Sequence, residues 1–187
     1  LKQKIGIDDL KSLESDPAAL ENLQILAPVI NPAWGTYQLN SYLQSWVGNN
    51  INRKGDYQEI GTQKIYKNDK VIQLQNILRE SYPSKEKYPL SNGQIGFVKS
   101  INKGHINVMY VGIPHETFGF RGDKGEDQDA AIELAYAITI HKSQGSDFDT
   151  VFVVLPKTGR ILSRELIYTA LTRAKKRVVL LVQDSIG

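Results

Sequence analysis

Two short apolar runs near the C-terminus each have the length of one buried strand, and a segment with helical spacing of apolar residues lies between them. The runs predict strands over Thr150–Leu155 and Arg177–Gln183. Ser163 is a favourable N-cap residue, so the intervening helix is predicted to run from there to about Lys176. A strand, a helix and a strand in this order favour a parallel sheet with a helical crossover.

The same alternation of helix and strand is predicted in the N-terminal half. Pro17–Leu23 is predicted to be a short helix, and Gln24–Ile30 a buried strand. A second helix begins at Thr36, and Lys70–Leu74 is predicted to be another strand. The apolar stretch Ala135–Ile140 fits either a helix or a strand. These segments give the chain the pattern of an α/β protein.

A different pattern interrupts this alternation. Gln94–Ile101 and His105–Gly112 are short alternating runs joined by an Asn-Lys-Gly turn, which predicts a hairpin. Phe118–Arg121 is predicted to add a third strand, and Glu80–Pro89, with its prolines and charges, is interpreted as a loop. Residues 88–125 are therefore predicted to form a small all-β module within the α/β chain.

The composition sets limits on the class of protein. The chain has 187 residues, of which 41% are hydrophobic and 23% charged, as in ordinary globular proteins. The net charge of +3 allows a nucleic-acid partner without requiring one. No apolar run approaches the roughly 18 residues of a membrane span, so we expect no membrane partner and a cytoplasmic protein. The first residue is not methionine, and the chain is interpreted as part of a longer protein.

Several common catalytic motifs do not occur in the sequence. It contains no G-x-x-x-x-G-K-[ST] phosphate loop, no G-x-G-x-x-G dinucleotide fingerprint and no G-x-S-x-G nucleophile elbow. There is no cysteine, and the three histidines are not spaced as metal ligands, so no metal site is expected. A self-contained NTPase or hydrolase finds no support.

The stretch T-I-H-K-S-Q-G-S-D-F, from Thr139 to Phe148, is a polar turn between apolar segments. Side chains that follow a strand of a parallel sheet lie where ligands bind in such folds. Gly145 would permit close approach of a phosphate to the backbone. The alternative is an ordinary polar loop in which glycine only forms the turn.

Arg173 lies near the end of the predicted last helix, on the face that points away from the core and among small residues. The planar guanidinium is suited to binding oxyanions, so one reading is an arginine presented to a phosphate. The alternative is a solvated arginine that interacts favourably with the helix C-terminus.

Together, the segments A-Y-A-I-T-I-H-K-S-Q-G-S-D-F and S-R-E-L-I-Y-T-A-L-T-R-A-K-K-R resemble motifs V and VI of superfamily 1 DNA helicases, in particular the RecD/UvrD-like group. Upstream, L-A-P-V-I-N-P-A-W-G-T-Y-Q is similar to the motif IV region, although it lacks the basic residue common there. The segments N-D-K-V-I-Q-L-Q-N and S-N-G-Q-I-G-F-V resemble those leading into an SH3-like insert. The resemblance implies a RecA-like second motor domain over 1–87 and 126–187, with a parallel sheet flanked by helices and an SH3-like β-barrel insert at 88–125.

The resemblance also implies roles for individual residues. Arg173 matches the motif VI arginine finger, which stabilises the charge that develops on the transferring phosphoryl group. Asp147 stands where relatives often have glutamate. The implied nucleotide contacts are Gln144, Gly145, Asp147 and Arg173, and the implied contacts to single-stranded DNA are Thr139, His141 and Lys142.

The implied function is that of the C-terminal motor domain of an ATP-dependent DNA helicase or translocase, with RecD-like 5′ to 3′ polarity. ATP and Mg²⁺ would be held mainly by an upstream motor domain that carries the phosphate loop, so this chain alone is expected to be inactive. Further candidate partners are repair or nuclease subunits. Two alternatives stay open: a catalytically inactive RecA-like module that binds nucleic acid or protein, and an RNA helicase of the same superfamily.

Overall fold

The computed structural model describes residues 17–31, 34–50, 57–102, 104–121, 131–157 and 162–183. The chain divides into two compact units. The β-rich unit comprises Leu1–Leu20 and Gly48–Ala135, and the α/β unit comprises Glu21–Val47 and Tyr136–Gly187. Neither described helix combines the length and apolar character that crossing a membrane would require.

The described residues form thirteen strands and two α-helices, with short 3₁₀ segments at Pro17–Glu21 and His141–Ser143. The helices are α1 (Thr36–Asn50) and α2 (Arg164–Leu171). The strands are β1 (Leu23–Ala27), β2 (Tyr57–Ile60), β3 (Gln63–Tyr66), β4 (Lys70–Gln73), β5 (Ile77–Glu80), β6 (Lys87–Leu90), β7 (Ile95–Asn102), β8 (His105–Tyr110), β9 (Phe118–Arg121), β10 (Ile132–Leu134), β11 (Ala137–Thr139), β12 (Phe148–Leu155) and β13 (Ala174–Val182).

The α/β unit is built on a four-stranded sheet with the order β11-β1-β12-β13, in which every pair is parallel. The core of this sheet is largely apolar, as expected for a parallel sheet. Leu26 and Val153 on the central strands β1 and β12, and Ile138 on the edge strand β11, are at most 1% exposed. Helix α2 connects β12 to β13. The predicted parallel sheet is therefore confirmed.

Helix α1 anchors the edge strand β11 through a buried amide. The Asn40 Nδ2 group donates to the Ala137 carbonyl at 2.8 Å, and the Ala137 N–H donates to Asn40 Oδ1 at 2.8 Å. Asn40 is 3% exposed, so both hydrogen bonds are shielded from water. The side chain thereby pairs with the backbone at the start of β11.

Helix α2 is shorter than the sequence predicts, and the strand after it begins earlier. The helix ends at Leu171, with Thr172 as its C-cap, rather than near Lys176. The reason is the start of the next ladder: the Phe148 N–H donates to the Arg173 carbonyl at 2.8 Å, and Ala174 pairs with Phe148. Arg173 therefore lies after the helix and not on its solvent-facing side.

The β-rich unit contains a five-stranded antiparallel sheet with the order β10-β4-β7-β8-β9, and the hairpins β2-β3 and β5-β6. Its core is aromatic: Phe97, Tyr110, Phe118 and Phe120 are fully buried. The Tyr110 hydroxyl donates to Gln73 Oε1 at 2.6 Å, so the one polar group on these four rings is satisfied.

This unit is larger than the β module predicted for residues 88–125. The predicted strand 70–74 was assigned to the surrounding α/β portion, but β4 pairs antiparallel with β7, for example Lys70 with Phe97. The segment Glu80–Pro89, interpreted as a loop, contains the connection of the β5-β6 hairpin and most of β6. A fully buried strand such as β4 has no alternation of polar and apolar residues, so its sequence does not show which sheet it joins.

Candidate nucleotide and nucleic-acid site

The predicted site residues fall into two groups at opposite ends of the parallel strands. Thr139 ends β11, whereas Asp147 and Arg173 directly precede β12 and β13. Thr139 pairs with Ala27 of β1. Ala27 is in turn level with the residue of β12 that lies six positions after Phe148, the first residue of that strand. That offset corresponds to about 20 Å along the strands, at roughly 3.3 Å per residue.

Residues 140–147 therefore cross from the carboxyl ends of the strands to their amino ends. The crossing segment begins with the 3₁₀ turn His141–Ser143 and ends at Asp147. Thus one continuous stretch of chain connects the two groups of predicted site residues.

The group at the carboxyl end is organised by the 3₁₀ turn. Thr139 Oγ1 accepts a hydrogen bond from the Lys142 N–H at 3.3 Å, and Ser143 Oγ donates to the Ile140 carbonyl at 2.7 Å. Thr139 and Ser143 are buried, whereas His141 is exposed. The turn thus presents the imidazole to solvent on a backbone held by two hydroxyl groups.

Gln144 and Gly145 are both exposed in the middle of the crossing segment. The backbone of Gly145 has φ +87°, which lies in the left-handed region. A Cβ atom there would meet no other atom within 4 Å, so the glycine is required by its backbone conformation and not by lack of space.

The group at the amino end is centred on the Arg173 guanidinium. Its Nη1 lies 3.5 Å from Asp147 Oδ1 and donates to the Ser146 carbonyl at 3.3 Å. Its Nε donates to the Thr169 carbonyl at 3.3 Å, and its Nη2 donates to Thr172 Oγ1 at 3.3 Å. The end of α2 and the crossing segment therefore hold the guanidinium from two directions.

This arrangement positions a cation without burying it. The Arg173 side chain is 21% exposed and that of Asp147 is 56% exposed. Exposed ion pairs contribute about 0–1 kcal/mol, so an incoming oxyanion could replace the Asp147 carboxylate at little cost. A guanidinium also has five N–H donors in a planar fork that fits phosphate oxygens.

A second ion pair, which sequence reasoning missed, lies beside the first. Lys176 Nζ lies 2.6 Å from Asp149 Oδ2. Asp149 is the second residue of β12 and Lys176 is the third residue of β13. The helix predicted from the sequence extends to about Lys176, and on its final turn Lys176 would not contact Asp149. The acidic pair Asp147 and Asp149 facing the basic pair Arg173 and Lys176 is visible only once both strands start where they do.

The remaining supports of the site were also not predicted. The sequence does not predict a role for Asn40, because an asparagine in the middle of a helix gives no indication that it binds the backbone of Ala137. The Ser146 carbonyl and the Thr172 hydroxyl, which orient the guanidinium, depend on where α2 ends. Within the residues that the structure describes, no three His, Cys, Asp or Glu side chains come together in a way that could hold a metal ion.

Comparison with known families identifies the segment that contains this site. Residues 134–181 match the family of UvrD-like helicase C-terminal domains. The matched span includes every predicted site residue, from Thr139 to Arg173.

Individual relatives agree with this match. An uncharacterised protein of Methanocaldococcus jannaschii is 30% identical over 179 residues, which cover 89% of this chain and 15% of that protein. The ATP-dependent RecD2 DNA helicase of Deinococcus radiodurans is 30% identical over 156 residues, covering 83% of this chain and 19% of the helicase. The RecD subunit of the RecBCD enzyme of Mycolicibacterium smegmatis is 60% identical over 48 residues, covering 25% of this chain and 9% of the subunit.

Solved structures show the same fold. The Pif1 helicase from Bacteroides, in complex with ADP-AlF3 and single-stranded DNA, superposes with a TM-score of 0.58 at 17% identity, covering 100% of this chain and 46% of that one. The Pif1 helicase from Candida albicans gives a TM-score of 0.50 at 15% identity, covering 97% of this chain and 53% of that one.

The parallel sheet, its flanking helices and the matched span define a helicase C-terminal domain with a RecA-like fold. The chain belongs to superfamily 1 as a RecD-like helicase C-terminal domain, and the resemblance predicted from motifs V and VI is confirmed. It spans only 15% of the Methanocaldococcus jannaschii protein and 19% of the Deinococcus radiodurans helicase.

Proposed function

We propose that this chain is the C-terminal motor domain of an ATP-dependent DNA helicase or translocase, and that Arg173 is its arginine finger. The observation that carries the proposal is the guanidinium at the amino ends of β12 and β13, held next to Asp147 and the Ser146 carbonyl. A finger must be positioned before the γ-phosphate arrives and must also be able to exchange its partner. The partly exposed ion pair with Asp147 satisfies both conditions.

Gln144, Gly145 and Asp147 complete the nucleotide side in this proposal. At the other end of the crossing segment, Thr139, His141 and Lys142 form part of the track for single-stranded DNA. The exposed imidazole of His141 can stack on a base or donate to a phosphate, and Lys142 adds a positive charge. Because residues 140–147 connect both groups, a movement of DNA at one end can be transmitted to Arg173 at the other.

The remaining parts of the proposal follow from the family. ATP and Mg²⁺ would bind mainly to an upstream motor domain of the same parent protein, and Arg173 would reach the γ-phosphate when the two domains close. Translocation would run 5′ to 3′, as the resemblance to the RecD group suggests. The β-rich unit, which contains the predicted module 88–125, would include the SH3-like insert. The site of action would be the cytoplasm, and repair or nuclease subunits would be partners.

The test is the Arg173→Ala variant of the full-length parent protein, measured for DNA-stimulated ATPase activity and for DNA binding. We expect the ATPase rate to fall by about 10³-fold or more, because an arginine finger contributes at least that factor. Arg173→Lys should also lose most activity, since a lysine lacks the planar fork. DNA binding should be unchanged. Arg164→Ala, which removes an exposed arginine at the start of α2, should behave as the parent does.

The alternatives make different predictions in the same assays. An inactive binding module would show no ATPase activity to lose, and Arg173→Ala would change nothing. An RNA helicase would be stimulated by RNA in preference to DNA of the same sequence. Either result would contradict the proposed function.

A further inference from the structure

The β-rich unit contains a cleft of about 410 Å³ that shares no residue with the crossing segment or with Arg173. None of the nine described residues that line it is acidic. Three of them, Lys67, Lys99 and His115, carry or can acquire a positive charge. A cleft of this size is within the range of small-ligand sites, and its lining favours an anion.

Each of these basic residues is placed by an unusual piece of backbone. Lys67 precedes Asn68, which has φ +68° and whose N–H donates to the Val98 carbonyl at 2.8 Å. Lys99 is the extra residue where the β7-β8 register shifts between Val98 and Ser100. His115 itself has φ +73°. Bulges and left-handed residues redirect side chains and concentrate at functional sites, and here three of them direct basic groups to one cleft.

The cleft also has an exposed aromatic ring on a fixed backbone. The Tyr82 N–H donates to the Thr117 carbonyl at 2.9 Å, and the Thr117 N–H donates to the Tyr82 carbonyl at 2.9 Å. The side chain of Tyr82 is nevertheless left open, with the residue 69% exposed. A large exposed ring on a fixed backbone provides a stacking surface at a reduced entropic cost.

Polar side chains that can pair with a base edge also line the cleft. Asn107 Nδ2 lies 3.0 Å and Asn102 Nδ2 lies 3.4 Å from Ser100 Oγ, so the two amides are oriented by the same hydroxyl. Amide groups offer both a donor and an acceptor, as the edges of bases do.

We propose that this cleft binds a segment of single-stranded nucleic acid, with phosphates at Lys67 and Lys99 and a base stacked on Tyr82. Positive charge alone would suit any polyanion, including an acidic peptide. The exposed ring and the amides favour nucleic acid, because they match a base and have no counterpart on a carboxylate-rich peptide. The β-rich unit thus supplies a second contact to the strand, in addition to the one proposed at Thr139, His141 and Lys142.

The test uses the 187-residue chain and a short fluorescein-labelled oligothymidylate, with binding followed by fluorescence anisotropy. The double variant Lys67→Ala/Lys99→Ala should bind about tenfold more weakly, and its salt dependence should flatten by a slope of about 0.7 for each lost phosphate contact. Tyr82→Leu should lose a similar factor, whereas Tyr82→Phe should retain affinity because stacking needs only the ring.

The matched control is Lys87→Ala/Lys157→Ala, which removes the same charge from two exposed lysines outside the cleft. If this control weakens binding as much as Lys67→Ala/Lys99→Ala does, or if the cleft variant binds as the parent does, the proposal is wrong. Binding of fluorescein-labelled polyglutamate without any binding of oligothymidylate would assign the cleft to an acidic peptide and would also overturn the proposal. The assay contains no ATP and measures binding alone, so failure here is separable from failure of the motor proposal.

Discussion

At the scale of single residues, the site depends on small energetic differences. Arg173 is held by neutral oxygen acceptors and by one exposed carboxylate, and none of these contacts is deeply buried. A guanidinium in such a setting is oriented without being locked, because each contact can be exchanged for one of similar strength. This is the property that a group needs if it binds phosphate only in one stage of a cycle.

Gly145 gives a residue-scale prediction that concerns conformation alone. Gly145→Ala should lower the free energy of unfolding by about 1–2 kcal/mol, because a left-handed backbone disfavours a Cβ atom by that amount. The added methyl group meets no neighbour, so steric clash does not contribute. Chemical denaturation of the chain measures the change.

Gly119→Ala is the control for this substitution. Gly119 lies in β9 without a positive φ, and an added Cβ would meet only Asn107 Oδ1 at an ordinary 3.6 Å. The free energy of unfolding of the Gly119→Ala chain should change by less than about 0.5 kcal/mol, as for most surface substitutions. Equal effects at the two glycines would contradict the conformational explanation.

At the scale of secondary-structure elements, the placement of Thr139 depends on a strand of only three residues. β11 is an edge strand paired with β1 on one side, and its first residue is bound on both backbone groups by the Asn40 amide of α1. A strand this short has few ladder hydrogen bonds of its own. The helix therefore fixes the position from which the crossing segment starts.

We expect Asn40→Leu to destabilise the chain by about 2–3 kcal/mol or more, because it leaves the N–H and C=O of Ala137 buried and unpaired. The measurement is the free energy of unfolding in denaturant. Ser45→Ala on the same helix removes an exposed hydroxyl that donates to the Ser41 carbonyl, and it should cost less than about 0.5 kcal/mol. A near-neutral Asn40→Leu would mean that β11 is held by other contacts.

The elements differ in how far their sequences predict them. Strands β12 and β13 follow from apolar runs, and the β7-β8 hairpin follows from alternation around a turn with glycine. The sequence does not predict hairpin β2-β3, because Tyr57–Tyr66 is mostly polar and half exposed. It therefore lacks the apolar face by which a strand is recognised. The end of α2 was misplaced because residues 172–176 contain neither glycine nor proline.

The candidate site shows the same division. Motif spacing was sufficient to select Thr139, His141 and Arg173 as candidates. It did not indicate that Arg173 pairs with Asp147, because that contact requires the helix to stop at Leu171 and the next ladder to begin at Phe148. Whether residues 172–176 continue the helix or join the sheet depends on contacts with distant β12. The local sequence therefore does not predict where the helix ends.

At the scale of the whole molecule, the chain contains two units for which we propose different tasks. All residues predicted to contact nucleotide, and Thr139, His141 and Lys142, which are predicted to contact DNA, lie in the α/β unit. The basic cleft lies in the β-rich unit. The α/β unit has a guanidinium in position, but the sequence has no phosphate loop to hold the triphosphate that this group would act on. Under this proposal the α/β unit orients the guanidinium of Arg173 but cannot hydrolyse ATP by itself.

The purified chain is therefore expected to hydrolyse no ATP above background, with or without single-stranded DNA. In a phosphoryl-transfer site the triphosphate and its metal ion are held by a phosphate loop and acidic residues, and a finger without them has no bound substrate. Adding DNA should not raise the ATPase rate, because the chain has no phosphate loop whose conformation DNA binding could alter. A coupled assay for released phosphate, with Arg173→Ala as the matched blank, measures it. DNA-stimulated hydrolysis that disappears in Arg173→Ala would show that the chain contains a complete nucleotide site, and the division of labour between two motor domains would then be wrong.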